Sequence, residues 1–249
     1  MVFSIEVSGR VIQIECKYKK TFYMCLKYLS YNKSPDIVLK ISNQDIIRER
    51  EYFKIPEELK ISEYGYGDNY FEYIAVFRKI AERLIDDQIM LMHGAVVAVD
   101  GKGYMFTAAS GIGKTTHTKL WLKNIPGAYV VNGDKPLLEF VDNEVWAYGT
   151  PWSGKEGLNT KGKVNLQAIC LLERSPVNEI TEISYLEAFG KLYQQIFKPD
   201  SAERMTKTLE MLDMLGSRVK LYTLKCNMED DAATRAYNYM NRRNKTELY

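Results

Sequence analysis

The chain lacks the features that mark nucleic-acid-binding, membrane-spanning and exported proteins. Its 34 lysines and arginines are nearly matched by 32 aspartates and glutamates, so no net charge attracts it to nucleic acid or to an anionic membrane surface. No apolar run approaches the roughly 20 residues that span a bilayer. The N-terminus has no basic region followed by an apolar stretch, the pattern of an export signal. We therefore expect a cytoplasmic protein with no nucleic-acid or membrane partner.

Cysteine and histidine are also scarce. The four cysteines are scattered, with no close pair at metal-ligand spacing: Cys16, Cys25, Cys170 and Cys226. This spacing argues against a zinc site and against a disulfide framework, and it favours reduced, buried thiols. The chain has only two histidines, His93 and His117, and both lie close in sequence to the segment that carries the chemistry.

That segment is residues 109–116, which read Ala-Ser-Gly-Ile-Gly-Lys-Thr-Thr. Successive glycines let the backbone curl so that several N–H groups meet one anion, a lysine reaches the outer phosphates, and a threonine hydroxyl can hold Mg²⁺. The segment follows an apolar strand at 104–107 and precedes a helix at 116–125. Ala108 stands where the full pattern has glycine. The predicted phosphate-binding residues are Ser110, Gly111, Ile112, Gly113, Lys114, Thr115 and Thr116.

The rest of the chain divides near Asp87 into an N-terminal module, 1–87, and a nucleotide module, 88–249. The first contains a hairpin at 2–16, helical spacing at 22–29, a strand at 37–39, an irregular stretch at 54–69 and an amphipathic helix at 71–85. The second begins with two antiparallel strands joined at 100–103, unlike the ordinary phosphate-loop fold. Further strands are predicted at 129–131, 145–148, 168–172 and 219–225. Helices are predicted at 184–197, at 203–215 with Gly216 closing it, and after Asp230, with a frayed tail at 241–249.

Asp134 is the candidate acid or metal ligand. It follows the phosphate loop by one helix and one strand. This length of chain is enough to return the carboxylate to the edge of the sheet where the loop lies. The alternative is that Asp134 is a turn residue beside Gly133. His93 ends a strand before the hairpin and is a second candidate, whereas His117 falls where a helix-surface position is expected. Glu173 and Arg174 end the apolar strand at 168–172. They could join the site, but an ordinary ion pair at the strand end is favoured.

Residues 149–163 form a second candidate segment. They contain glycines, Trp152 and the lysines Lys155, Lys161 and Lys163. Such a composition suits a loop that closes over phosphates or over an acceptor, and Lys155 is our candidate for a phosphate contact. The alternative is a solvated basic loop.

From His93-Gly94 to Gly133-Asp134 the sequence resembles the catalytic domain of HPr kinase/phosphorylase and, more distantly, ATP-dependent phosphoenolpyruvate carboxykinase. The resemblance spans about 88–249 and is closest to HPr-kinase-related proteins of unassigned substrate. It implies an active-site role for His93 and a metal-associated acid/base role for Asp134 towards an acceptor serine. Family members usually have a second aspartate where this chain has Lys135. The resemblance does not imply that this chain acts on HPr or that it forms the hexamer of the family.

Together these features predict an α/β phosphate-loop fold of the HPr kinase/carboxykinase type with a small α/β N-terminal module. The predicted function is an ATP- and Mg²⁺-dependent kinase acting on a hydroxyl of a protein, peptide or small molecule, and a homo-oligomer is possible. Catalytic roles fall to Asp134, His93 and Lys114, and metal ligation to Thr115 and Asp134. The alternatives are a nucleotide-binding module without turnover and, less favoured, a carboxykinase, whose additional metal- and acid-binding residues we do not find.

Overall fold

The computed structural model describes residues 1–53 and 67–246, with side chains to residue 241. The chain divides into two compact units, Met1–Asp87 and Gln88–Tyr249. Most of the stretch that we expected to be irregular, 54–69, lies outside the described residues; its last two residues begin a helix. No helix among the described residues is long and apolar enough to cross a membrane.

The N-terminal unit combines one sheet with three helices in its described part. The strands are β1 (Val2–Val7), β2 (Arg10–Glu15) and β3 (Ile37–Lys40), and the helices are α1 (Lys19–Cys25), α2 (Asn43–Tyr52) and α3 (Asp68–Leu84). The expected hairpin is present, with positive φ at Ser8 and Gly9, and β3 runs parallel to β2. Sequence reasoning missed α2, although Ser42 and Asp45 form a capping box at its start, a pattern that indicates a helix N-terminus.

A buried carboxylate joins two of these helices. Glu72 of α3 has no exposed surface, yet its two oxygens accept hydrogen bonds from the N–H groups of Lys17 and Tyr18, at 2.6 and 2.8 Å, and from the Thr21 hydroxyl at 3.0 Å. Lys17 and Tyr18 immediately precede α1 and Thr21 lies in its first turn, so the carboxylate attaches α3 to the start of α1 and lies where the helix dipole favours a negative charge. Glu72 is therefore a structural residue of this unit.

In the second unit the described strands form one sheet of nine. They are β4 (Ile89–Leu91), β5 (Ala95–Val99), β6 (Lys102–Thr107), β7 (Tyr129–Asn132), β8 (Leu137–Val141), β9 (Glu144–Tyr148), β10 (Lys163–Arg174), β11 (Glu179–Glu182) and β12 (Lys220–Cys226). The order is β4-β8-β9-β10-β6-β5-β7, and β12 pairs with both β10 and β11. The strand β6, which leads into the phosphate loop, is antiparallel to β5 as expected but parallel to β10 on its other side.

Four helices belong to the described part of this unit: α4 (Lys114–Asn124), α5 (Tyr185–Gln195), α6 (Ala202–Arg218) and α7 (Asp231–Thr246). Trp121 of α4 and Ala233 and Ala236 of α7 are fully buried in a cluster with side chains of the central strands. Among these, Tyr104 and Phe106 of β6 lie 5.2 and 5.0 Å from Trp121, centroid to centroid. This packing fixes α4, and with it the loop that precedes α4, against β6.

Several predicted boundaries are wrong. Helix α4 begins at Lys114 rather than Thr116, so the lysine belongs to the helix itself, and α7 continues to Thr246 through most of the tail that we expected to fray. Gly216 does not end a helix, because α6 runs past it to Arg218. A Cβ at Gly216 would collide with the ring of Tyr185 on α5. Its role is to let two helices approach, which sequence spacing alone does not reveal.

Candidate active site

The phosphate loop joins the end of β6 to the start of α4. Gly111 and Gly113 have φ of +81° and +130°, a region that side-chain-bearing residues rarely adopt. Gly113 precedes the first residue of α4, and no side chain caps that helix end, so its N–H groups remain available to an anion. The Lys114 ammonium donates to the carbonyl of Ala108 at 2.9 Å, and burial lowers the pKa of Lys114 although the charge of Asp134 acts in the opposite sense.

A cleft of about 460 Å³ opens beside this loop. Its lining residues are His93, Ser110, Gly111, Gly113, Lys114, Thr115, Thr118, Gly133, Asp134, Ser153, Gly154, Lys155 and Glu156. The cleft therefore brings together residues from four separate parts of the chain. Among the predicted site residues, Ile112 and Thr116 do not line it and instead border a larger cavity on the other side of the loop.

Asp134 stands between two basic side chains. One of its oxygens lies 3.2 Å from His93 Nε2 and the other 3.1 Å from Lys135 Nζ. Burial alone would raise the pKa of Asp134, but the hydrogen bond from His93 and the charge of Lys135 outweigh it and lower the pKa to about 2. The carboxylate is therefore ionised at neutral pH and held from both sides.

His93 is held through both its backbone and its ring. Its N–H donates to the carbonyl of Gln195 at 2.8 Å, and its carbonyl accepts from the Thr107 hydroxyl at 2.7 Å. Its Nδ1 lies 3.0 Å from Gln195 Oε1, so each ring nitrogen faces an oxygen acceptor. Sequence reasoning missed Gln195, because this last residue of α5 lies far from His93 in the chain.

Asn132 organises the turn that carries Asp134. It is fully buried, and its Oδ1 accepts from the N–H groups of Asp134 and Lys135 at 2.9 and 2.7 Å. Its Nδ2 donates to the hydroxyl of Thr150 at 2.9 Å, and that hydroxyl donates in turn to the carbonyl of Lys135 at 2.8 Å. Sequence reasoning missed Asn132, although a buried asparagine two residues before a turn aspartate is typical of a side-chain-stabilised turn.

Residues 158–160 of the segment 149–163 are bonded to β7 and to Gly133, which follows it. Thr160 donates to the carbonyls of Val131 and Val130, and Gly133 donates to the carbonyl of Leu158 at 2.9 Å. Residues 154–157 are exposed, and Glu156 pairs with Lys119 of α4 at 3.1 Å. Lys155 lines the cleft.

Lys163, by contrast, does not border the cleft. Its ammonium lies over the ring of Trp146, 4.4 Å from the ring centroid. Within the segment 149–163, Lys155 is the lysine that lines the cleft.

His117 is not the helix-surface residue that its position suggested. It is 2% exposed, its ring lies 4.6 Å from that of Phe106, and its Nε2 accepts from the Trp121 indole at 3.0 Å. Burial lowers the pKa of His117 to about 4, so the ring is neutral at pH 7. It is a core residue that connects α4 to β6.

The larger cavity has a volume of about 620 Å³. It shares Gly111 and Gly113 with the cleft, and its walls include Ile112, Leu172 and Met228. The two spaces therefore meet at the phosphate loop.

Oxygen ligands for a divalent cation are present, although no group of three or more His, Cys, Asp and Glu side chains in the described part of the chain could hold a metal. The Thr115 hydroxyl and the ionised Asp134 carboxylate border one cleft, and hydroxyl and carboxylate oxygens are the donors that Mg²⁺ prefers. These oxygen donors therefore fit Mg²⁺. The Asp134 carboxylate is also contacted by His93 and Lys135.

No family model and no curated protein matches this chain. Among solved structures it is similar to the HPr(Ser) kinase/phosphatase from Coxiella burnetii, with 12% sequence identity and a TM-score of 0.36. The match covers 63% of this chain and 98% of that one. The relationship is a distant structural one between mixed α/β proteins and by itself identifies neither a substrate nor a site.

Proposed function

We propose that the second unit is an ATP-dependent kinase that transfers a phosphoryl group to a hydroxyl, with a serine of a protein or peptide as the first candidate acceptor and a small molecule as another. The observation that supports this most is the content of the cleft. It unites a glycine-rich loop at a helix N-terminus with Lys114, an ionised Asp134 and His93. Phosphoryl transfer depends on positioning and charge, and these groups supply both.

The phosphates would bind the loop and the lysines. Backbone N–H groups at the start of α4, together with the Lys114 ammonium, offer positive charge to an anion, and Ser110 and Lys155 border the same space. The Thr115 hydroxyl and Asp134 would hold Mg²⁺, which when bound neutralises phosphate charge. The nucleoside would extend into the larger cavity, whose apolar walls suit a base.

Asp134 would accept the proton of the acceptor hydroxyl. A carboxylate with a pKa of about 2 is a weak base in isolation, so its contribution would come mainly from its position and its charge. His93 and Lys135 fix that position from two sides. Gln195 in turn orients the His93 ring.

A second candidate, a nucleotide-binding module without turnover, is favoured by one contact. The Lys135 ammonium lies 3.1 Å from Asp134 and already supplies a positive charge where the carboxylate would meet a metal ion. In this case nucleotide would bind but no phosphoryl group would move.

Nucleotide binding is the first requirement of both candidates. A ligand at one hundred times its Kd stabilises the native state by about 2.7 kcal/mol, which raises the melting temperature of a unit of this size by about 5–10 °C. We expect that shift with MgATP in the wild type and little of it in Lys114→Ala. Lys123→Ala is the matched control, because Lys123 is an exposed lysine of the same helix that pairs with Asp230.

The outcomes separate the readings. If MgATP raises the melting temperature of Lys123→Ala but not of Lys114→Ala, the nucleotide binds at the phosphate loop. An equal shift in both variants would locate the nucleotide elsewhere, and no shift in the wild type at any MgATP or MgGTP concentration would refute the proposal.

A further inference from the structure

We propose that Arg174 is a positioning residue of the phosphate loop. It holds the loop's apex, residues 111–113, in its anion-binding conformation before nucleotide binds. The inference rests on the proposed function, because it assigns a role within the same site. The sequence favours an ion pair at the strand end for Arg174, with a place in the site as the alternative. In the structure its guanidinium donates to two backbone carbonyls of the phosphate loop.

The sheet topology places Arg174 beside the phosphate loop. β10 runs parallel to β6, and Leu171 pairs with Thr107, the last residue before the loop begins. Arg174 is the final residue of β10, so it continues alongside the loop. Its Nε donates to the carbonyl of Ile112 at 3.1 Å, and its Nη2 donates to the carbonyl of Gly111.

These two bonds fix two peptide planes. In a trans peptide the C=O and N–H point in opposite directions, and no peptide bond among the described residues is cis. Holding the Ile112 carbonyl therefore directs the N–H of Gly113 away from Arg174, and no acceptor in the described part of the chain is bonded to that N–H. The N–H of Ile112 makes only a long turn bond, 3.4 Å, to Ala109.

The apex needs such support because glycines flank it. With positive φ at Gly111 and Gly113, the intervening peptides could rotate at little steric cost. Bonds from a charged donor are stronger than neutral ones, and the planar guanidinium can reach two carbonyls at once. Ordering the apex in advance removes part of the entropy cost of binding.

The charge of Arg174 is not neutralised by a neighbouring side chain. Glu173, the adjacent residue, pairs with Lys191 of α5 at 2.5 Å, and within the described residues no carboxylate forms an ion pair with Arg174. Arg174 also borders the larger cavity. The loop's apex is therefore held by a cation whose charge remains available to attract a phosphorylated ligand.

The test uses the full chain with Arg174→Met, Arg174→Lys and the control Arg235→Met, an exposed arginine of α7 bonded to Asp231. Hydrogen exchange of amides 110–115 is measured without nucleotide, and the affinities for ADP and ATP are measured by calorimetry. We expect faster loop exchange in Arg174→Met and an approximately tenfold loss of affinity for both nucleotides. Both effects should be intermediate in Arg174→Lys, and Arg235→Met should match the wild type.

Two results would overturn the inference. Loop exchange in Arg174→Met that equals that of the wild type would show that the guanidinium does not hold the apex. Faster loop exchange with unchanged affinities for ADP and ATP would show that the loop conformation held by Arg174 is not the one that binds the nucleotide. If the wild type bound no nucleotide the proposed function would fail, yet exchange in the nucleotide-free protein would still decide whether Arg174 orders the loop.

Discussion

Replacing Asp134 with asparagine should destabilise the second unit in a pH-dependent way. The substitution keeps the shape of the side chain and removes its charge. In the folded protein Asp134 lies within 3.2 Å of His93 Nε2 and 3.1 Å of Lys135 Nζ, so the variant would leave two basic groups without their shared carboxylate.

The magnitude follows from the pKa. A carboxylate whose pKa falls from 3.8 to about 2 on folding stabilises the folded state by up to about 2 kcal/mol at neutral pH. Since the folded pKa is the lower one, this stabilisation is complete above about pH 5 and is lost as the pH falls from about 4 towards 2. Asp134→Asn should therefore lower the melting temperature by about 4–8 °C at pH 7, and the difference from the wild type should shrink in acid.

Differential scanning calorimetry between pH 3 and 7 measures this effect and can separate the transitions of two units. The matched control is Asp142→Asn. Asp142 is an exposed turn residue with φ of +52°, a conformation that asparagine also tolerates, so its cost should stay within about 0.5 kcal/mol. A cost for Asp134→Asn that is the same at pH 3 and pH 7 would contradict the pairing of Asp134 with His93 and Lys135.

Three further changes test neighbouring parts of the site. Asn132→Ala removes the buried side chain that bonds the Asp134 turn and should cost about 2–4 kcal/mol of unfolding free energy; a denaturant titration within 0.5 kcal/mol of the wild type would contradict this. MgATP should slow hydrogen exchange at 154–157, since Lys155 borders the cleft; identical exchange with and without it would assign the turn to structure. Lys135→Asp should increase the Mg²⁺ dependence of nucleotide binding, and an unchanged dependence in calorimetric titrations would exclude Lys135 as a competitor of the ion.

The parts of the fold that could be predicted are those determined by local sequence. The hairpin β5–β6 was predicted from its turn residues, and the helix after the phosphate loop from its position, because both depend on neighbours in the chain. The apolar run at 168–172 was predicted to suit a sheet centre, and β10 is a central strand that pairs with β6, β9 and β12.

The features that sequence reasoning missed depend on distant residues. The burial of His117 is decided by Phe106 and Trp121 packing around it, and Gly216 is required by the ring of Tyr185 on another helix. Arg174 meets the phosphate loop only because β10 runs beside β6. None of these relations leaves a local pattern in a single sequence.

In the candidate site, the loop and Asp134 were identified from residue types, and the structure has them line one cleft with His93 and Lys155. Asn132 and Gln195, which position Asp134 and His93, were not identified, because their roles depend on hydrogen bonds that only the fold creates. The catalytic roles themselves stay predictions.

Phosphoryl transfer from γ-labelled ATP tests the central claim most directly. Wild type and Asp134→Asn are incubated with labelled MgATP and a library of serine-, threonine- and tyrosine-containing peptides, and both labelled peptide and slow hydrolysis to free phosphate are measured. We expect transfer to a hydroxyl and a rate about a hundredfold lower in the variant, with nearly unchanged ATP affinity because Lys114 and the loop N–H groups remain. Nucleotide binding with no labelled peptide, and with equal hydrolysis in both proteins, would contradict the kinase assignment and support a binding module without turnover.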